Sequence, residues 1–305
     1  MSEAPSTAPV CYRHPSRETY VQCTRCDRPI CPDCMNAASV GHQCPECVAE
    51  GKRTQRPART AFGGTGVGRA AYATRTLVGI NVLFMLASTI AGGAGALFGG
   101  SGGGFGSLLG SDTSVTRWGA VIGYASYFQG GPMHGVAAGE WWRLITAMFL
   151  HYGLLHILTN MWALWQLGRY LEAALGPVRF VALYLIAGFG GNVVTYLFSA
   201  PNQESAGAST AIFGLFMAAI VVNRRLGLQI AQLIPLLVVN LVITFAIPNI
   251  SKTGHLGGLL VGGIVAVILA YAPAGRRTLF QVIGCSAVVA ILIVASIVRT
   301  VSLLS

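Results

Sequence analysis

Seven long apolar stretches restrict this chain to a membrane fold. A transmembrane helix needs roughly 20 predominantly apolar residues, and six of the stretches have about this length, while the fourth is shorter. They cover residues 76–98, 144–167, 178–200, 209–222, 228–247, 253–271 and 279–298. Only 10% of the 305 residues are charged, whereas soluble domains have about a quarter. The sequence therefore predicts an all-α polytopic membrane protein.

The positions of the cations predict how the chain is oriented. Six Lys and Arg residues between positions 52 and 75 precede the first stretch, and arginine pairs follow at 224–225 and 276–277. Cytoplasmic loops are enriched in Lys and Arg, and the first ten residues lack an apolar signal segment. We therefore expect a multi-pass cell-membrane protein with a cytoplasmic N-terminus. Its net charge of +10 then indicates attraction to membrane lipid rather than nucleic-acid binding.

The cysteines divide the chain into chemically different parts. Seven of the eight precede residue 48, and Cys285 lies in the last apolar stretch. We expect an N-terminal domain over 1–50 and a basic flexible linker over 51–75. The loop 99–142 is long and contains glycine runs and aromatic residues, so it is expected to be functional or to lie on the membrane surface. Few lysines beside many Arg, Gly and Ala residues favour a GC-rich bacterium, and hence a bacterial inner membrane.

Four short-spaced pairs in the N-terminal domain have the spacing of zinc ligands. They are Cys11 with His14, Cys23 with Cys26, Cys31 with Cys34, and Cys44 with Cys47. Two tetrahedral zinc ions need eight ligands, and metal binding supplies folding energy to a domain with little core. Disulfides are the alternative, but the cytoplasm is reducing. His42 is a ninth candidate that can replace Cys44.

The same spacing resembles B-box-like zinc-binding domains, in which the ligand pairs interleave. The resemblance covers roughly the first fifty residues. It implies one site from Cys11, His14, Cys31 and Cys34 and a second from Cys23, Cys26, Cys44 and Cys47. Two structural zinc ions and a protein partner for this domain are the corresponding expectations.

A serine and a histidine are candidates for chemistry inside the apolar stretches. Ser209 opens the fourth stretch, and His255 lies at the outer end of the sixth. Gly258 and Gly262 follow His255 in GxxxG spacing, which lets helix backbones approach closely. Ser209 and His255 can then meet across two helices. The alternative for such a serine is a hydrogen bond to its own helix backbone.

Two further polar residues share one face of the second stretch. His156 and Asn160 lie one helical turn apart, so both can donate hydrogen bonds into a cavity. Ionisable groups at such depth are costly and are usually functional. The alternative for this pair is a structural hydrogen bond between helices.

Taken together, these motifs resemble the rhomboid family of intramembrane serine proteases over residues 76–273. The matching elements are Glu140-Trp141-Trp142-Arg143, the H-x4-H-x3-N helix from His151 to Asn160, the G-x-S motif Gly207-Ala208-Ser209, and Gly254-His255 with the glycines after it. The resemblance implies a six-helix bundle, with one additional C-terminal helix over 274–305. It makes Ser209 the nucleophile and His255 the base, with the Ser209 amide, His156 and Asn160 as the oxyanion hole.

The resemblance also implies supporting roles around these residues. Phe213 matches an aromatic residue that packs against the base, and Gly207 belongs to the nucleophile motif. His151 matches a position near the membrane edge, where we expect a structural hydrogen bond. Thr210 is a departure, because many active members have glycine after the serine. We expect this β-branched residue to tighten the space beside the oxyanion hole.

The other polar residues exclude alternative protease mechanisms. Beyond residue 140 the only carboxylates are Glu172 and Glu204, so an aspartyl pair and the acid of a Ser-His-acid triad have no candidates. A zinc protease needs H-E-x-x-H, which the chain lacks. The sequence therefore predicts a Ser–His dyad that cuts transmembrane proteins near the outer membrane face without a catalytic cofactor.

Two other functions compete with a protease. A rhomboid-like pseudoprotease would bind transmembrane clients and use the zinc domain as an adaptor, but it has no chemical need for both the dyad and the oxyanion donors. A transporter or channel would need ionisable residues along a path through the bilayer. The few present here cluster toward the outer half.

Overall fold

The computed structural model describes residues 8–55, 59–66, 71–99, 110–247 and 250–305. They belong to two compact units, Met1–Ala58 and Arg59–Ser305. The first unit is a small domain, and the second is a bundle of apolar helices. The fold is that of an all-α polytopic membrane protein with a small N-terminal domain, as the sequence predicts.

The N-terminal unit has little regular structure. A 3-10 turn at Pro32–Cys34 leads to a two-stranded antiparallel sheet, β1 (Asn36–Ala37) and β2 (His42–Gln43), and then to helix α1 (Pro45–Thr54). The buried cluster of this unit contains six cysteines and a single aliphatic side chain, Ile30. So small an apolar core cannot hold the chain by itself, because domains of this size bury too little surface.

The second unit contains ten helices in its described residues. They are α2 (Tyr72–Gly92), α3 (Gly95–Phe98), α4 (Ser114–Gly119), α5 (Arg143–Thr146), α6 (Leu154–Leu175), α7 (Pro177–Phe198), α8 (Ser209–Leu226), α9 (Leu233–Ala246), α10 (Lys252–Tyr271) and α11 (Arg277–Leu304). Five of these elements are long and apolar enough to cross a membrane, namely α2, α7, α8, α10 and α11 with the turn before it.

Two of the seven predicted spans differ from the expectation. The stretch 144–167 is bent by 91° between Arg143–Phe149 and α6, because Leu150 is extended and Gly153 has φ +85°. Helix α9 has only 14 residues, or about 21 Å at the usual helical rise, which is shorter than the hydrocarbon core. Counting the bent pair as one span, up to six spans are present in the described residues.

Glycines bring α8 and α10 into backbone contact at the centre of the bundle. A Cβ on Gly258 would lie 1.9 Å from the carbonyl oxygen of Thr210, and a Cβ on Gly262 would lie 2.3 Å from the Cα of Gly214. Only glycine fits at these positions. The GxxxG contact predicted from the sequence is therefore present, and it fixes the separation of the helices that carry Ser209 and His255.

A buried glutamate anchors the start of the bundle. Glu172 is fully buried near the end of α6, and its carboxylate accepts hydrogen bonds from the backbone N–H groups of Ala73 and Thr74 and from the Thr74 hydroxyl, at 2.7–3.0 Å. These are unpaired donors of the first turn of α2. Glu172 therefore caps α2, and its carboxylate is not free to hydrogen-bond to His255.

The first loop is folded where the structure describes it. Helix α4 begins with a capping box between Thr113 and Thr116, and strands β3 (Ala125–Ser126) and β4 (Met133–His134) form an antiparallel hairpin. A 3-10 turn follows at Val136–Ala138. The glycine run at 102–104 lies outside the described residues.

The expected flexible linker 51–75 is shorter than predicted. Helix α1 continues to Thr54, α2 begins at Tyr72, and residues 59–66 form a turn that packs on the helix bundle. In this turn Phe62 is 3% exposed, and the carbonyl of Ala61 accepts a hydrogen bond of 2.9 Å from Arg277 Nη1. Burial of Phe62 supplies an apolar contact that composition alone did not indicate. Residues 56–58 and 67–70 lie outside the described residues.

The contact of α8 with α10 at Gly258 leads to a prediction about stability. We expect Gly258→Ala to lower the free energy of unfolding by about 1–3 kcal/mol or more, because its methyl group overlaps the Thr210 carbonyl. Gly79→Ala is the matched control, since no atom lies within 4 Å of the added methyl group and alanine is the better helix former. Thermal unfolding in detergent measures both variants. Equal melting temperatures would show that the α8–α10 contact is loose.

Candidate active site and metal centres

Ser209 and His255 meet at the start of two helices. Ser209 is the first residue of α8, after Gly207 with φ +147°, and the N–H of Gly207 donates to the carbonyl of Ala147 at 2.9 Å. His255 lies in the first turn of α10 and is 7% exposed. The Oγ of Ser209 is 2.7 Å from Nε2 of His255. This distance permits a proton to pass from the hydroxyl to the imidazole.

Two other side chains contact the imidazole of His255, one on its face and one at Nδ1. The ring of Phe213 is stacked on His255, with the ring centroids 4.2 Å apart and an angle of 19° between the planes. The Oγ1 of Thr244, on α9, is 2.7 Å from Nδ1 of His255. The Phe213 contact matches the resemblance, whereas sequence reasoning did not find Thr244. Its only signal was a hydroxyl inside an apolar stretch, where threonine usually bonds its own helix.

His156 borders the same space as the nucleophile, and Asn160 lies one turn further along α6. A Cβ on Gly207 would lie 2.9 Å from Nε2 of His156 and 3.2 Å from Oγ of Ser209, so His156 and Ser209 border one small space. Asn160 is 7% exposed, and its buried Nδ2 has no hydrogen-bond partner among the described residues. Buried polar groups are normally paired. An unpaired amide donor is therefore available to a bound group.

His151 makes a different contact from the one expected. Neither ring nitrogen has a hydrogen-bond partner in the part of the chain that the structure describes. Instead, the ring packs edge-on against His156, with the centroids 5.0 Å apart at 70°. The structural hydrogen bond expected for His151 therefore stays a prediction. Its position, 2% exposed in the bend before α6, makes it a packing support for His156.

Thr210 packs against two other helices. Its side chain lies between α7 and α10, because hypothetical Cβ atoms on Gly191 and Gly254 would fall 2.9 and 3.0 Å from its Cβ and Cγ2. The missing side chains of these two glycines provide the space for the β-branched residue. Thr210 therefore fills a helix interface, and its Oγ1 lies 3.4 Å from the carbonyl oxygen of Gly207. Its effect on the space beside the oxyanion hole stays a prediction.

The N-terminal unit brings its predicted ligands together in two groups. Cys11, His14, Cys31 and Cys34 form one, and Cys23, Cys26, Cys44 and Cys47 form the other, with the ligand atoms of each group within 4.8 Å of one another. Cys26 Sγ and Cys44 Sγ are 3.8 Å apart. Thiolates bound to one tetrahedral zinc ion at about 2.3 Å lie about 3.8 Å from each other. The geometry therefore fits metal coordination in the interleaved order.

The other observations in this unit agree with metal binding. Its seven cysteines are free thiols, and no disulfide joins them in the described residues. Burial raises the pKa of Cys23, but the N–H groups of Cys44, Arg25 and Cys26 point at its sulfur and bring the pKa down to about 6. A thiolate is the form that binds metal. His42 is exposed on β2 and belongs to neither group, so Cys44 is the better eighth ligand.

Comparisons with known proteins identify the membrane unit. The family profile described as "Rhomboid domain" matches residues 138–272. Over 148 residues, the chain is 37% identical to "Putative rhomboid protease YdcA" of Bacillus subtilis, an alignment that covers 47% of this chain and 74% of that protein. The chain belongs to the rhomboid family.

Other rhomboid relatives are matched over a smaller part of their length. "Rhomboid protease GluP" of Bacillus subtilis is 41% identical over 145 residues, which cover 46% of this chain and 28% of that protein. "RHOMBOID-like protein 5" of Arabidopsis thaliana is 36% identical over 146 residues, 45% of this chain and 47% of that protein. This rhomboid thus spans about a quarter to a half of these two relatives.

The first loop of this rhomboid is held by a buried arginine. Arg143 is 2% exposed. Its Nε donates to Glu140 at 2.6 Å, and its Nη1 donates to the carbonyls of Arg117 and Ala120 at 2.6 and 2.8 Å. Glu140 also accepts the N–H of Gly135 at 2.6 Å. The Trp-Arg element seen in the sequence therefore ties α4 and the hairpin region to α5.

Three of the residues that organise the site were missed at the sequence level. Thr244 contacts the base, Glu172 caps α2, and Asn192 donates from α7 to the carbonyl of Leu144 at 3.0 Å. Glu172 lies between two apolar stretches, whereas Thr244 and Asn192 share one signal, a polar residue inside such a stretch. It marks each residue as important, but it does not name the partner, which lies on another helix.

Glu140 makes the stability of this loop depend on pH. Burial raises its pKa, but hydrogen bonds from Gly135, His134 and Arg143 outweigh burial, so the pKa lies below its ordinary value. Such a carboxylate stabilises the fold above its unfolded-state pKa, and this contribution is lost as the pH falls through the folded pKa. We expect Glu140→Gln to lower the free energy of unfolding by about 1–3 kcal/mol at pH 7. On acidification, the stability of this variant should fall by less than that of the wild type.

Melting temperatures from pH 7 down to pH 3, followed by tryptophan fluorescence in detergent, test this expectation. Glu18→Gln is the control for loss of one negative charge, since Glu18 is exposed in the N-terminal unit. Identical pH dependence for the wild type and Glu140→Gln would remove Glu140 from the account of loop stability.

Proposed function

We propose that this rhomboid is an intramembrane serine endopeptidase that cleaves transmembrane proteins near the outer membrane face. The observation that carries the proposal is the 2.7 Å contact between Ser209 Oγ and His255 Nε2. The unpaired amide of Asn160, one turn from His156 on α6, supports it. Relatives named as rhomboid proteases support the same activity. Ser209 is the proposed nucleophile and His255 the proposed base.

The proposed reaction has two halves. The Oγ of Ser209 attacks the scissile carbonyl carbon while its proton passes to Nε2 of His255, and the C–N bond then breaks as His255 gives that proton to the leaving amine. A water molecule attacks the acyl-enzyme, again losing a proton to His255. Collapse of the second intermediate releases the new carboxyl group and returns the proton to Ser209.

Three donors are proposed to stabilise the oxyanion in this scheme. They are the N–H of Ser209 in the first turn of α8, Nε2 of His156 and Nδ2 of Asn160. The first N–H groups of a helix have no carbonyl partner, and the Asn160 amide is unpaired. Preorganised donors are each worth about 3 kcal/mol in the transition state, so they can compensate for the absence of a triad carboxylate.

The helix lengths support a site below the membrane surface. Helix α8 has 18 residues and α7 has 22, a difference of about 6 Å at the usual rise per residue. Ser209, at the start of the shorter helix, therefore lies below the level of the loops when the opposite ends are aligned. A peptide bond inside a helix is shielded by its own hydrogen bonds, so the proposed substrates carry small or helix-breaking residues near the outer end of a span.

The cations support a cytoplasmic N-terminus. Arg225 at the end of α8 lies over the ring of Tyr271 at the end of α10, and Arg179 at the start of α7 donates to Gln281 on α11. These cations thus share the end of the bundle opposite Ser209. Cytoplasmic ends are enriched in arginine. We therefore place that end, and the N-terminal domain, on the cytoplasmic side of a bacterial inner membrane.

Cleavage in liposomes tests the proposed activity. We expect the wild-type chain to cut at least one member of a panel of single-span proteins with helix-breaking residues. Ser209→Ala and His255→Ala should remove cleavage, because each takes part in the covalent step. Mass spectrometry of the products locates the cut.

The control is Ser296→Ala, which removes a buried hydroxyl that bonds only its own helix, to the carbonyl of Leu292. This variant should cut at the wild-type rate. Full cleavage by either dyad variant would refute the dyad. Binding of the panel without any cut by the wild type would favour a pseudoprotease instead.

The N-terminal unit is proposed to bind two structural zinc ions, with a protein partner as its target. The eight-ligand set, free thiols and small core support this proposal. Cys11, His14, Cys31 and Cys34 would hold one ion, and Cys23, Cys26, Cys44 and Cys47 the other. Zinc supplies folding energy at these sites and takes no part in the proposed peptide cleavage.

Metal analysis of the purified chain tests this assignment. We expect close to two zinc ions per chain. Cys26→Ser should lower the content by about one ion, because a tetrahedral site with three thiolate ligands binds zinc less tightly. Cys285→Ser, in the membrane unit, is the matched control and should leave the content unchanged. One ion or none in the wild-type chain would refute the two-site proposal.

A further inference from the structure

The base of the proposed dyad has a polar partner on a third helix. Nδ1 of His255 is 2.7 Å from Oγ1 of Thr244, on α9. Thr244 is 1% exposed. Its hydroxyl also lies 2.8 Å from the carbonyl oxygen of Asn240, one turn earlier in α9. A continuous chain of hydrogen bonds therefore leads from Ser209 through His255 and Thr244 to a backbone carbonyl.

Only one imidazole tautomer satisfies this whole chain. The carbonyl of Asn240 can only accept, so the Thr244 hydroxyl donates its single proton to it and offers a lone pair to His255. Nδ1 of His255 must then carry the ring proton. Nε2 is left with a lone pair that faces the Ser209 hydroxyl at 2.7 Å. This is the tautomer that a general base needs.

We propose that Thr244 is a positioning residue that holds His255 in its Nδ1–H tautomer and orients Nε2 toward Ser209. The inference rests on the proposed protease function and extends it. In a Ser-His-acid triad the acid has this task, and here a neutral hydroxyl backed by a main-chain carbonyl takes its place. When Nε2 is protonated during the reaction, the same acceptor stabilises the imidazolium through its Nδ1–H.

The surroundings of His255 leave this task to Thr244. The stacked Phe213 ring fixes the plane of the imidazole, but stacking does not distinguish one nitrogen from the other. Glu172 is occupied at the start of α2, and no carboxylate bonds His255 within the described ranges. Among the described residues of α9, only Leu237 and Thr244 are buried. A role in packing alone would be served equally well by valine.

Steady-state kinetics on a cleaved substrate separate positioning from packing. Thr244→Val keeps the shape and removes the acceptor, so we expect kcat to fall about 10- to 100-fold, with KM changed by less than about threefold. Thr244→Ser restores a hydroxyl and should recover most of the loss. Thr89→Val is the matched control, since Thr89 bonds only the carbonyl of Met85 on α2. A wild-type kcat in Thr244→Val would overturn the proposal.

The tautomer itself is measured without changing Thr244. Nitrogen NMR of the wild-type chain with ¹⁵N-histidine, in detergent at a pH where His255 is neutral, should show the proton of His255 on Nδ1; the spectrum of His255→Gln identifies the signal. A proton on Nε2 would overturn the proposal even if Thr244→Val did not fold. Should the wild type cut no substrate, the protease function fails, while the tautomer result still decides the role of Thr244.

Discussion

The close contact between α8 and α10 is the constraint on which the site depends. Gly258 of α10 lies against the carbonyl oxygen of Thr210 on α8, and Gly262 lies against the Cα of Gly214. Lipid gives no hydrophobic drive for helices to associate, so small residues and tight packing must supply it. The same approach carries the first turns of the two helices together, and Ser209 and His255 therefore come within 2.7 Å. Packing and proposed chemistry thus share one interface.

The buried polar groups of the bundle are of two kinds. Some are hydrogen-bonded within the protein, and one has a donor that can bind another group. Arg143, Glu140 and Glu172 are satisfied by neighbouring backbone and side chains, and they shape the first loop and the start of α2. Asn160 has a buried donor without a partner in the described chain. In an apolar interior an unpaired amide is costly, so its retention one turn from His156 is explained by a bound group that accepts its hydrogen bond.

Much of this arrangement follows from the sequence, because local patterns report local structure. Apolar length predicted the helices, and the short spacing of the Cys and His pairs predicted the eight candidate ligands, whereas their division into two groups came from the resemblance to B-box-like domains. Contacts between distant segments were harder to predict. The bend before α6 depends on backbone angles at Leu150 and Gly153, Thr210 is accommodated by glycines from α7 and α10, and Thr244 meets His255 only because α9 ends beside α10. Each depends on which faces pack together, and a single sequence does not state this.

Covalent trapping of the nucleophile tests the central claim most directly. The chain in detergent is treated with a serine-directed fluorophosphonate, and the modified peptide is identified by mass spectrometry. The account predicts one adduct, on Ser209, formed by the wild type and slowed severely in His255→Ala, because the hydroxyl then lacks its proton acceptor. An adduct on another serine, or labelling of Ser209 at the same rate without His255, would contradict the account.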